Sequence, residues 1–317
     1  MLHPGRVVRA MMARMGAGRY APSPTGDLHL GNLRTALLAW LFARSRDEQF
    51  LLRFEDLETS VVKPDAYRSQ REDLRALGLE PDGEEVRQSD RREFYRSVIV
   101  DLDDRGLTYP CWCSRREIRE AGAAPNGPWA PGAYPGTCRE LTSSQRAERD
   151  ATGRPPALRL RTSSEEVEVV DDLHGRYRGL VDDVVLRRGD GTPAYNLCVV
   201  VDDDAQGVTH VVRADDLLSS TPRQVHVASV LEIKPPGYAH VPLVLGADGD
   251  RLAKRHGAVT MRDHPGSALQ VRSELAASLG LCEPAEEPSL GDLLARFNPA
   301  RLPRDPWIFG SVPLLDD

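Results

Sequence analysis

Residues 19–36, RYAPSPTGDLHLGNLRTA, join a predicted strand to a predicted helix through a turn. Arg19–Ser23 follows a glycine pair and predicts a short strand, and the proline and glycine residues after it predict the turn. Apolar residues then recur at helical spacing and predict one buried stripe of a helix that ends near Ser45. The stripe consists of Leu33, Ala36, Leu37, Trp40 and Leu41. With the apolar run Gln49–Phe54 as a buried strand, this order predicts a βαβ unit with a right-handed crossover.

The α/β pattern continues beyond this unit and is interrupted once. Helices are predicted over 64–77 and 89–105, because each apolar pattern ends at a glycine. A segment rich in Pro, Gly and Cys, 110–138, precedes short alternating runs that predict a small insertion containing β-strands. These runs lie at 157–161, 166–170 and 181–187. The βα pattern resumes with apolar runs at 194–201 and 208–213, a helix near 220–231 and an apolar run at 241–245.

We therefore predict an α/β fold with a Rossmann-like parallel sheet, an insertion, and a short helical, Pro-rich tail. The predicted division has five parts: a flexible N-terminal extension, the first half of the sheet domain, the insertion, the second half of the sheet domain, and the tail. Their bounds are 1–15, 16–108, 109–187, 188–260 and 261–317.

The composition is typical of a globular protein and excludes several classes. Of the 317 residues, 40% are apolar and 28% are charged, so disorder is not the expected state. No apolar run is long enough to cross a membrane, and residues 1–16 lack the continuous apolar stretch of a secretory signal. Acidic residues outnumber basic ones, 48 to 41, which argues against a general nucleic-acid coat but leaves room for a local basic face.

The start of the first helix is a candidate phosphate site. Free N–H groups at a helix start attract anions, Gly31 allows a ligand to approach the backbone, and His29 can donate to a phosphate oxygen. The plainer interpretation is a capped helix start with an incidental histidine.

Residues 19–36 resemble the first signature of the glutamyl-tRNA synthetases, a class I family, with Asn32 at the last position of its HIGH motif. Residues 251–255, RLAKR, are similar to the family's KMSKS loop. The resemblance runs from about Gly18 to Met261 and includes RFED (53–56), YPCWC (109–113), DGTPAYNL (190–197) and VVRADDLLSSTPRQ (211–224). It implies that ATP, with Mg²⁺, is bound by His29, Gly31, Asn32 and Lys254. His29 and Lys254 are the implied catalytic residues, which stabilise charge on the phosphates.

The residues predicted for the amino acid follow from charge and from the resemblance. A dicarboxylic amino acid carries one cation and two anions, so its site needs a buried carboxylate and at least one guanidinium. Arg19, Glu55 and Arg213 each end a predicted strand, where an open parallel sheet binds ligands. The resemblance implies that both arginines bind carboxylates of L-glutamate, in an order left open, and that Glu55 binds its amino group. It also implies that Tyr195 closes the pocket, which is lined by Tyr20, Ala21, Pro22 and Ser23.

Plainer alternatives remain at each of these positions. Residues 53–56 are also compatible with a surface ion-pair patch, and Tyr195 with an ordinary core position. Arg213 is also compatible with a salt bridge to Asp215 or Asp216.

Three of the five cysteines, Cys111, Cys113 and Cys138, lie in one segment and favour a structural zinc site. The reducing compartment in which such thiols persist leads us to expect a cytoplasmic protein. Zinc is normally four-coordinate, no histidine lies between His29 and His174, and the resemblance places a tyrosine, here Tyr134, in the fourth position. The alternative is three free thiols in a loop.

Basic residues in or near the insertion are candidates for RNA phosphate contacts, and Trp112 and Trp129 for stacking on bases. The plainer interpretation is a solvated face and packing around the cysteine segment. The basic residues are Arg115, Arg116, Arg154, Arg159, Arg161, Arg176 and Arg178.

The resemblance points most strongly to a shortened paralogue of the family, because only 63 residues follow Lys254 and no anticodon-binding domain is expected there. It implies activation of L-glutamate by ATP and transfer of glutamate to the queuosine of tRNA(Asp), by a protein expected to be monomeric. Two alternatives stay open. One is a minimal glutamyl-tRNA synthetase that charges tRNA(Glu), and the other is a zinc-stabilised RNA-binding module without catalysis.

Overall fold

The computed structural model describes residues 16–122, 133–162, 165–252 and 259–310. The strands within these ranges are β1 (Ala17–Tyr20), β2 (Gln49–Phe54), β3 (Val86–Arg87), β4 (Thr108–Cys111), β5 (Ala157–Leu160), β6 (Glu165–Asp171), β7 (Gly175–Val181), β8 (Val185–Arg187), β9 (Val208–Ala214), β10 (Gly237–Val241), β11 (Val244–Leu245) and β12 (Trp307–Ile308). The helices are α1 (Leu30–Arg44), α2 (Pro64–Ala76), α3 (Arg92–Asp104), α4 (Arg115–Gly122), α5 (Ser143–Asp150), α6 (Tyr195–Gln206), α7 (Thr221–Val230), α8 (Ala268–Ala277) and α9 (Leu290–Arg296). Short 3₁₀ helices occupy Gln88–Arg91, Asp215–Ser220 and Pro299–Arg301.

A seven-stranded sheet in the order β3-β2-β1-β9-β10-β6-β7 forms the centre of the molecule. Neighbouring strands pair in parallel, except for the antiparallel β6–β7 hairpin at one edge. The carboxyl ends of β1, β2, β9 and β10 consequently meet along one side of the sheet. This confirms the predicted α/β fold with a parallel sheet, and β1, α1 and β2 form the predicted βαβ unit.

Helix α1 is buried on more than the single stripe that its sequence predicts. Leu38, Phe42 and Ala43 are buried together with the predicted Leu33, Ala36, Leu37 and Leu41, whereas the predicted Trp40 is half-buried. The part of the chain that contains α8 and α9 packs against a further side of α1, which would otherwise face solvent. There the ring of Phe42 lies edge-on against the ring of Phe297, with ring centroids 5.1 Å apart. The guanidinium of Arg34 donates to the hydroxyl of Ser278 at 3.0 Å and so ties α1 to the segment after α8.

Residues 194–201, whose apolar run continued the βα pattern, begin helix α6 rather than forming a strand. The run LCVVV at 197–201 is buried in a core cluster that also contains Leu102 and Val227. The helix ends at Gly207, which has the left-handed φ of 69° typical of a helix C-terminus. A short run of β-branched residues suits either a buried strand or a buried helix, so packing against α3 and α7 decides its conformation.

The predicted insertion, 109–187, contributes to two sheets. Strands β4, β5 and β8 form a separate antiparallel sheet. Strand β6 instead pairs with β10 of the main sheet, where Asp171 lies opposite Tyr238. The predicted run 181–187 is divided between β7 and β8. Backbone hydrogen bonds therefore join this part of the chain to the central sheet.

No helix among the described residues combines the length and the apolarity that a membrane-spanning segment requires.

Candidate active site

A pocket of about 700 Å³ opens where β1, β2 and β9 end. All residues predicted for the amino acid line it: Arg19, Tyr20, Ala21, Pro22, Ser23, Glu55, Tyr195 and Arg213. Of the residues predicted for ATP, His29 and Asn32 also line it, Gly31 lies beside His29 in the first turn of α1, and Lys254 lies outside the described residues. Parts of the chain that are far apart in sequence therefore share one cavity.

The guanidinium of Arg19 is anchored by a buried carboxylate. Its Nε donates to Oδ1 of Asp203 at 3.2 Å, and the same oxygen accepts from Arg53 at 2.7 Å. Although burial opposes ionisation, the nearby guanidiniums of Arg53 and Arg19 lower the pKa of Asp203. Arg53 is completely buried, so the surface ion-pair interpretation of residues 53–56 is wrong.

Glu55 follows β2 and lines the cavity, as do the carboxylates of Asp27 and Asp216. Its carboxylate lies 3.7 Å from Arg53, and its backbone N–H donates to the carbonyl of Pro22, which fixes it against the turn after β1. Burial raises the pKa of Glu55, and the charges of Arg53 and Arg19 oppose that shift only in part. A bound cation would therefore favour the ionised form of Glu55.

Arg213 stands at the end of β9 with neutral partners. Its Nε donates to Nε2 of His240 at 3.0 Å, and Nη2 donates to the hydroxyl of Thr221 at 2.9 Å. Its Nη1 lies 3.5 Å from the hydroxyl of Tyr195, which is partly exposed and not an ordinary core residue. The alternative salt bridge to Asp215 or Asp216 is absent from the contacts of Arg213 among the described residues, and Asp216 is paired with Arg251 at 2.6 Å.

His29 is the N-cap of α1 and faces the pocket. Its Nδ1 accepts the backbone N–H of Asn32 at 3.2 Å, while the Asn32 side chain accepts the N–H of His29. Burial, together with the charge of Arg251, lowers the pKa of His29 to about 4, so the ring is neutral at pH 7 and its hydrogen lies on Nε2. A side chain at Gly31 would stand 3.0 Å from this ring, which explains why glycine occupies that position.

The helix start offers fewer free N–H groups than the sequence predicts. The N–H of Leu30 donates to the carbonyl of Val259 at 2.7 Å, and that of Asn32 is taken by the His29 cap. The capped helix start of the plainer interpretation is therefore present, and its cap residue, His29, also lines the cavity.

Sequence reasoning missed the residues that contact the two pocket arginines, which are Asp203, Thr221 and His240. It also missed Asp171, which contacts His240. His240 belongs to no motif that the sequence analysis identified. Its position directly opposite Arg213 in the β9–β10 register is the signal that would have identified it, and this register is visible only once the strand order is known.

The sulfur atoms of Cys111, Cys113 and Cys138 lie within 4.8 Å of one another. The hydroxyl of Tyr134 lies 3.4 Å from the Cys111 sulfur and accepts the backbone N–H of Cys138 at 2.7 Å. Hydrogen bonds from Cys113 and then Cys138 lower the pKa of Cys111, whereas burial raises the pKa of Tyr134. Three converging sulfurs suit a tetrahedral thiophilic ion, and the phenol is available as the fourth donor.

The candidate RNA-binding residues of the insertion are largely occupied by partners within the protein. Arg176 and Arg178 pair with Glu168, and Arg154 lies 3.6 Å from Glu117. Arg159 is buried and stacks 3.7 Å from the ring centroid of Tyr134. Trp112 is buried beside the cysteines, in agreement with the plainer interpretation, and Trp129 lies outside the described residues.

Comparison with known proteins agrees with this geometry. Residues 17–274 match the family described as class I tRNA synthetases (E and Q), catalytic domain. The chain therefore belongs to the class I tRNA synthetases of the E and Q group, which confirms the resemblance seen in its sequence.

Individual relatives narrow the position of the chain within that class. It is 62% identical to a glutamyl-Q tRNA(Asp) synthetase of Nocardia farcinica, over 95% of both chains. It is 45% identical to a protein of the same name from Symbiobacterium thermophilum, over 92% of this chain and 95% of that one. The fold is similar to the crystal structure of a glutamate tRNA ligase from Elizabethkingia meningosepticum in complex with its amino acid. That comparison has a TM-score of 0.80 and 25% identity, and it covers 94% of this chain and 68% of the other.

Proposed function

We propose that this chain uses ATP to activate L-glutamate as glutamyl-adenylate. The observation that carries the proposal is the charge pattern of the pocket, in which Glu55 and the guanidiniums of Arg19 and Arg213 line one cavity with His29. A molecule with one ammonium group and two carboxylates complements this pattern. A buried guanidinium facing a neutral amide would be left unpaired, so the site would disfavour glutamine.

In the proposed first step, a carboxylate oxygen of glutamate attacks the α-phosphorus of ATP and pyrophosphate leaves. The neutral ring of His29 donates a hydrogen bond from Nε2 to a phosphate oxygen, and Lys254, in the sequence RLAKR that is similar to the family's second signature, contributes a positive charge. Mg²⁺ would accompany ATP and screen the charge of its phosphates. No side chain forms a covalent intermediate in this scheme.

In the proposed second step, a hydroxyl of the queuosine in tRNA(Asp) attacks the glutamyl carbonyl and AMP leaves. Support for this acceptor comes from the relatives, since those with the highest identity among the proteins compared are named glutamyl-Q tRNA(Asp) synthetases. The family as a whole supports a tRNA partner.

Glutamylation of matched RNA substrates tests both steps. Radiolabelled glutamate should be incorporated into tRNA(Asp) that contains queuosine, and not into tRNA(Asp) lacking it or into tRNA(Glu). Glutamate-dependent exchange of pyrophosphate into ATP should occur with the same preparation. Charging of tRNA(Glu) instead would identify a minimal glutamyl-tRNA synthetase, and absence of exchange would identify a non-catalytic RNA-binding module.

We also infer that Cys111, Cys113 and Cys138, with Tyr134, hold a structural Zn²⁺. The convergence of three sulfurs within 4.8 Å supports this assignment. Bound zinc would join the end of β4 to the segment around residue 138. Metal analysis should find about one zinc per chain, which Cys113→Ser should remove and which the control Cys282→Ser, outside the cluster, should retain. A native, metal-free protein would refute the site.

A further inference from the structure

The contacts of Arg213 depend on the hydrogen position in one histidine. Nε2 of His240 lies 3.0 Å from Nε of Arg213 and 3.1 Å from the hydroxyl of Thr221. Because the Nε of an arginine only donates, Nε2 can take part in this bond only as an acceptor, without a hydrogen. The direction of the guanidinium therefore depends on the tautomer of His240.

Asp171 provides the group that selects this tautomer. Its Oδ2 lies 2.6 Å from Nδ1 of His240, and a carboxylate at that position requires the hydrogen to be on Nδ1. His240 is fully buried and Asp171 is only 2% exposed. Burial lowers the pKa of His240, which keeps the ring neutral. Although burial also opposes ionisation of Asp171, hydrogen bonds from His240 and from the backbone of His174 and Leu173 lower its pKa.

The same carboxylate holds part of the β6–β7 hairpin. Oδ1 of Asp171 accepts the backbone N–H groups of Leu173 and His174, which lie in the turn of the hairpin. In addition, a ring nitrogen of His174 lies 3.0 Å from the carbonyl of His240. The hairpin that extends the sheet is thus connected to the pocket through two side chains.

We infer that Asp171 and His240 are positioning residues for Arg213: Asp171 holds His240 with its hydrogen on Nδ1, and the free Nε2 then directs the guanidinium into the pocket. This inference rests on the proposed function, in which Arg213 binds a carboxylate of glutamate. It assigns Asp171 and His240 to the orientation of a binding group and not to contact with the substrate.

Two substitutions of His240 form a matched test. In His240→Gln the side-chain oxygen can take the place of Nε2, whereas the shorter amide of His240→Asn reaches only the place of Nδ1. We expect His240→Asn to raise the KM for glutamate about tenfold or more and to leave the KM for ATP within about twofold. His240→Gln should keep the KM for glutamate within about threefold of the native value. Equal glutamate KM values in two variants of native thermal stability would overturn the inference.

Substitution of Asp171 and a spectroscopic measurement complete the test. Asp171→Asn cannot accept from both the ring and the backbone, so we expect a glutamate KM raised about tenfold with an unchanged KM for ATP. In the native protein, ¹⁵N NMR of labelled histidine, with His240 assigned from its variants, should show hydrogen on Nδ1 and none on Nε2. A hydrogen on Nε2 would overturn the inference whatever the activities are, and it can be detected even if a variant does not fold.

The control Arg213→Ala separates this inference from the proposed function. If that variant saturates with glutamate like the native protein, the proposed function is wrong. If it loses glutamate saturation while both His240 variants retain it, only the positioning role is wrong.

Discussion

The two arginines of the pocket, Arg19 on the side formed by β1 (the β1 wall) and Arg213 on the side formed by β9 (the β9 wall), are held by different means. On the β1 wall, Arg19 donates to Asp203, a carboxylate that Arg53 also contacts at 2.7 Å. On the β9 wall, Arg213 donates to the neutral ring of His240 and to the hydroxyl of Thr221. The charge of Arg19 is balanced by a carboxylate that it contacts directly, whereas the guanidinium of Arg213 is oriented by neutral groups.

This difference teaches how one pocket can combine stability with attraction for an anion. A buried guanidinium that is paired with a carboxylate is firmly placed, but part of its field is cancelled. A guanidinium held by neutral groups keeps more of its field for a ligand. We therefore expect Arg213 to dominate the attraction of a glutamate carboxylate and the Asp203 cluster to dominate the stability of the pocket.

The largest expected effect is that of Arg213→Ala on the β9 wall. Removal of this guanidinium should lower kcat/KM for glutamate about a thousandfold and abolish saturation, because a buried charge pair with the substrate is lost. Steady-state pyrophosphate exchange at increasing glutamate concentration measures this effect. The control Arg68→Ala removes an exposed arginine and should be neutral. A loss of less than tenfold would contradict the expectation that Arg213 dominates the attraction of the glutamate carboxylate.

Lys254→Ala tests whether the β1 and β9 walls serve to bind only the amino acid, while a residue outside them acts on the phosphates of ATP. The lysine is predicted to face the phosphates, so its removal should lower the rate of activation about a hundredfold and leave the affinity for glutamate nearly intact. Single-turnover formation of the adenylate and equilibrium binding of glutamate separate the two quantities. An unchanged rate would exclude Lys254 from the mechanism.

Asp203→Asn tests the β1 wall, where a stability effect should exceed the catalytic one. An amide cannot balance Arg19 and Arg53, so we expect a loss on the order of 3 kcal/mol in the free energy of unfolding. Because the pKa of Asp203 is lowered in the folded protein, its contribution is present above the ordinary aspartate pKa and is lost as pH falls. Chemical denaturation at pH 7 measures the loss. A native free energy of unfolding would show that the cluster is not the anchor of this wall.

The smallest effect is the pH dependence set by Glu55. Burial raises the pKa of this carboxyl, so it takes up a proton at a higher pH than an ordinary glutamate does. Binding of the substrate ammonium requires the ionised form, and KM for glutamate should therefore rise severalfold as pH falls toward the ordinary glutamate range of about 4 to 5. Glu55→Gln should bind weakly at every pH and show no such rise. A native KM that is constant with pH would contradict the placement of the ammonium on Glu55.

Much of the fold was predictable because it depends on local patterns. The apolar stripe of α1, the glycine at the end of α3 and the run of β2 are properties of neighbouring residues, and the βαβ unit follows from their order. Helix α6 was not predictable in this way, since its β-branched run suits a strand or a helix and only packing against α3 and α7 distinguishes them.

The sequence by itself determined that Arg19, Glu55 and Arg213 meet in the pocket, because they stand at strand ends and a parallel sheet brings strand ends together. Only the tertiary structure decided how the two arginines are held. Asp171 and His240 are 69 residues apart in the chain, and Arg213 and His240 are 27 apart. They meet because β9, β10 and β6 are adjacent strands of one sheet. Strand order and register arise from the packing of the whole sheet, and no local period of the chain encodes them.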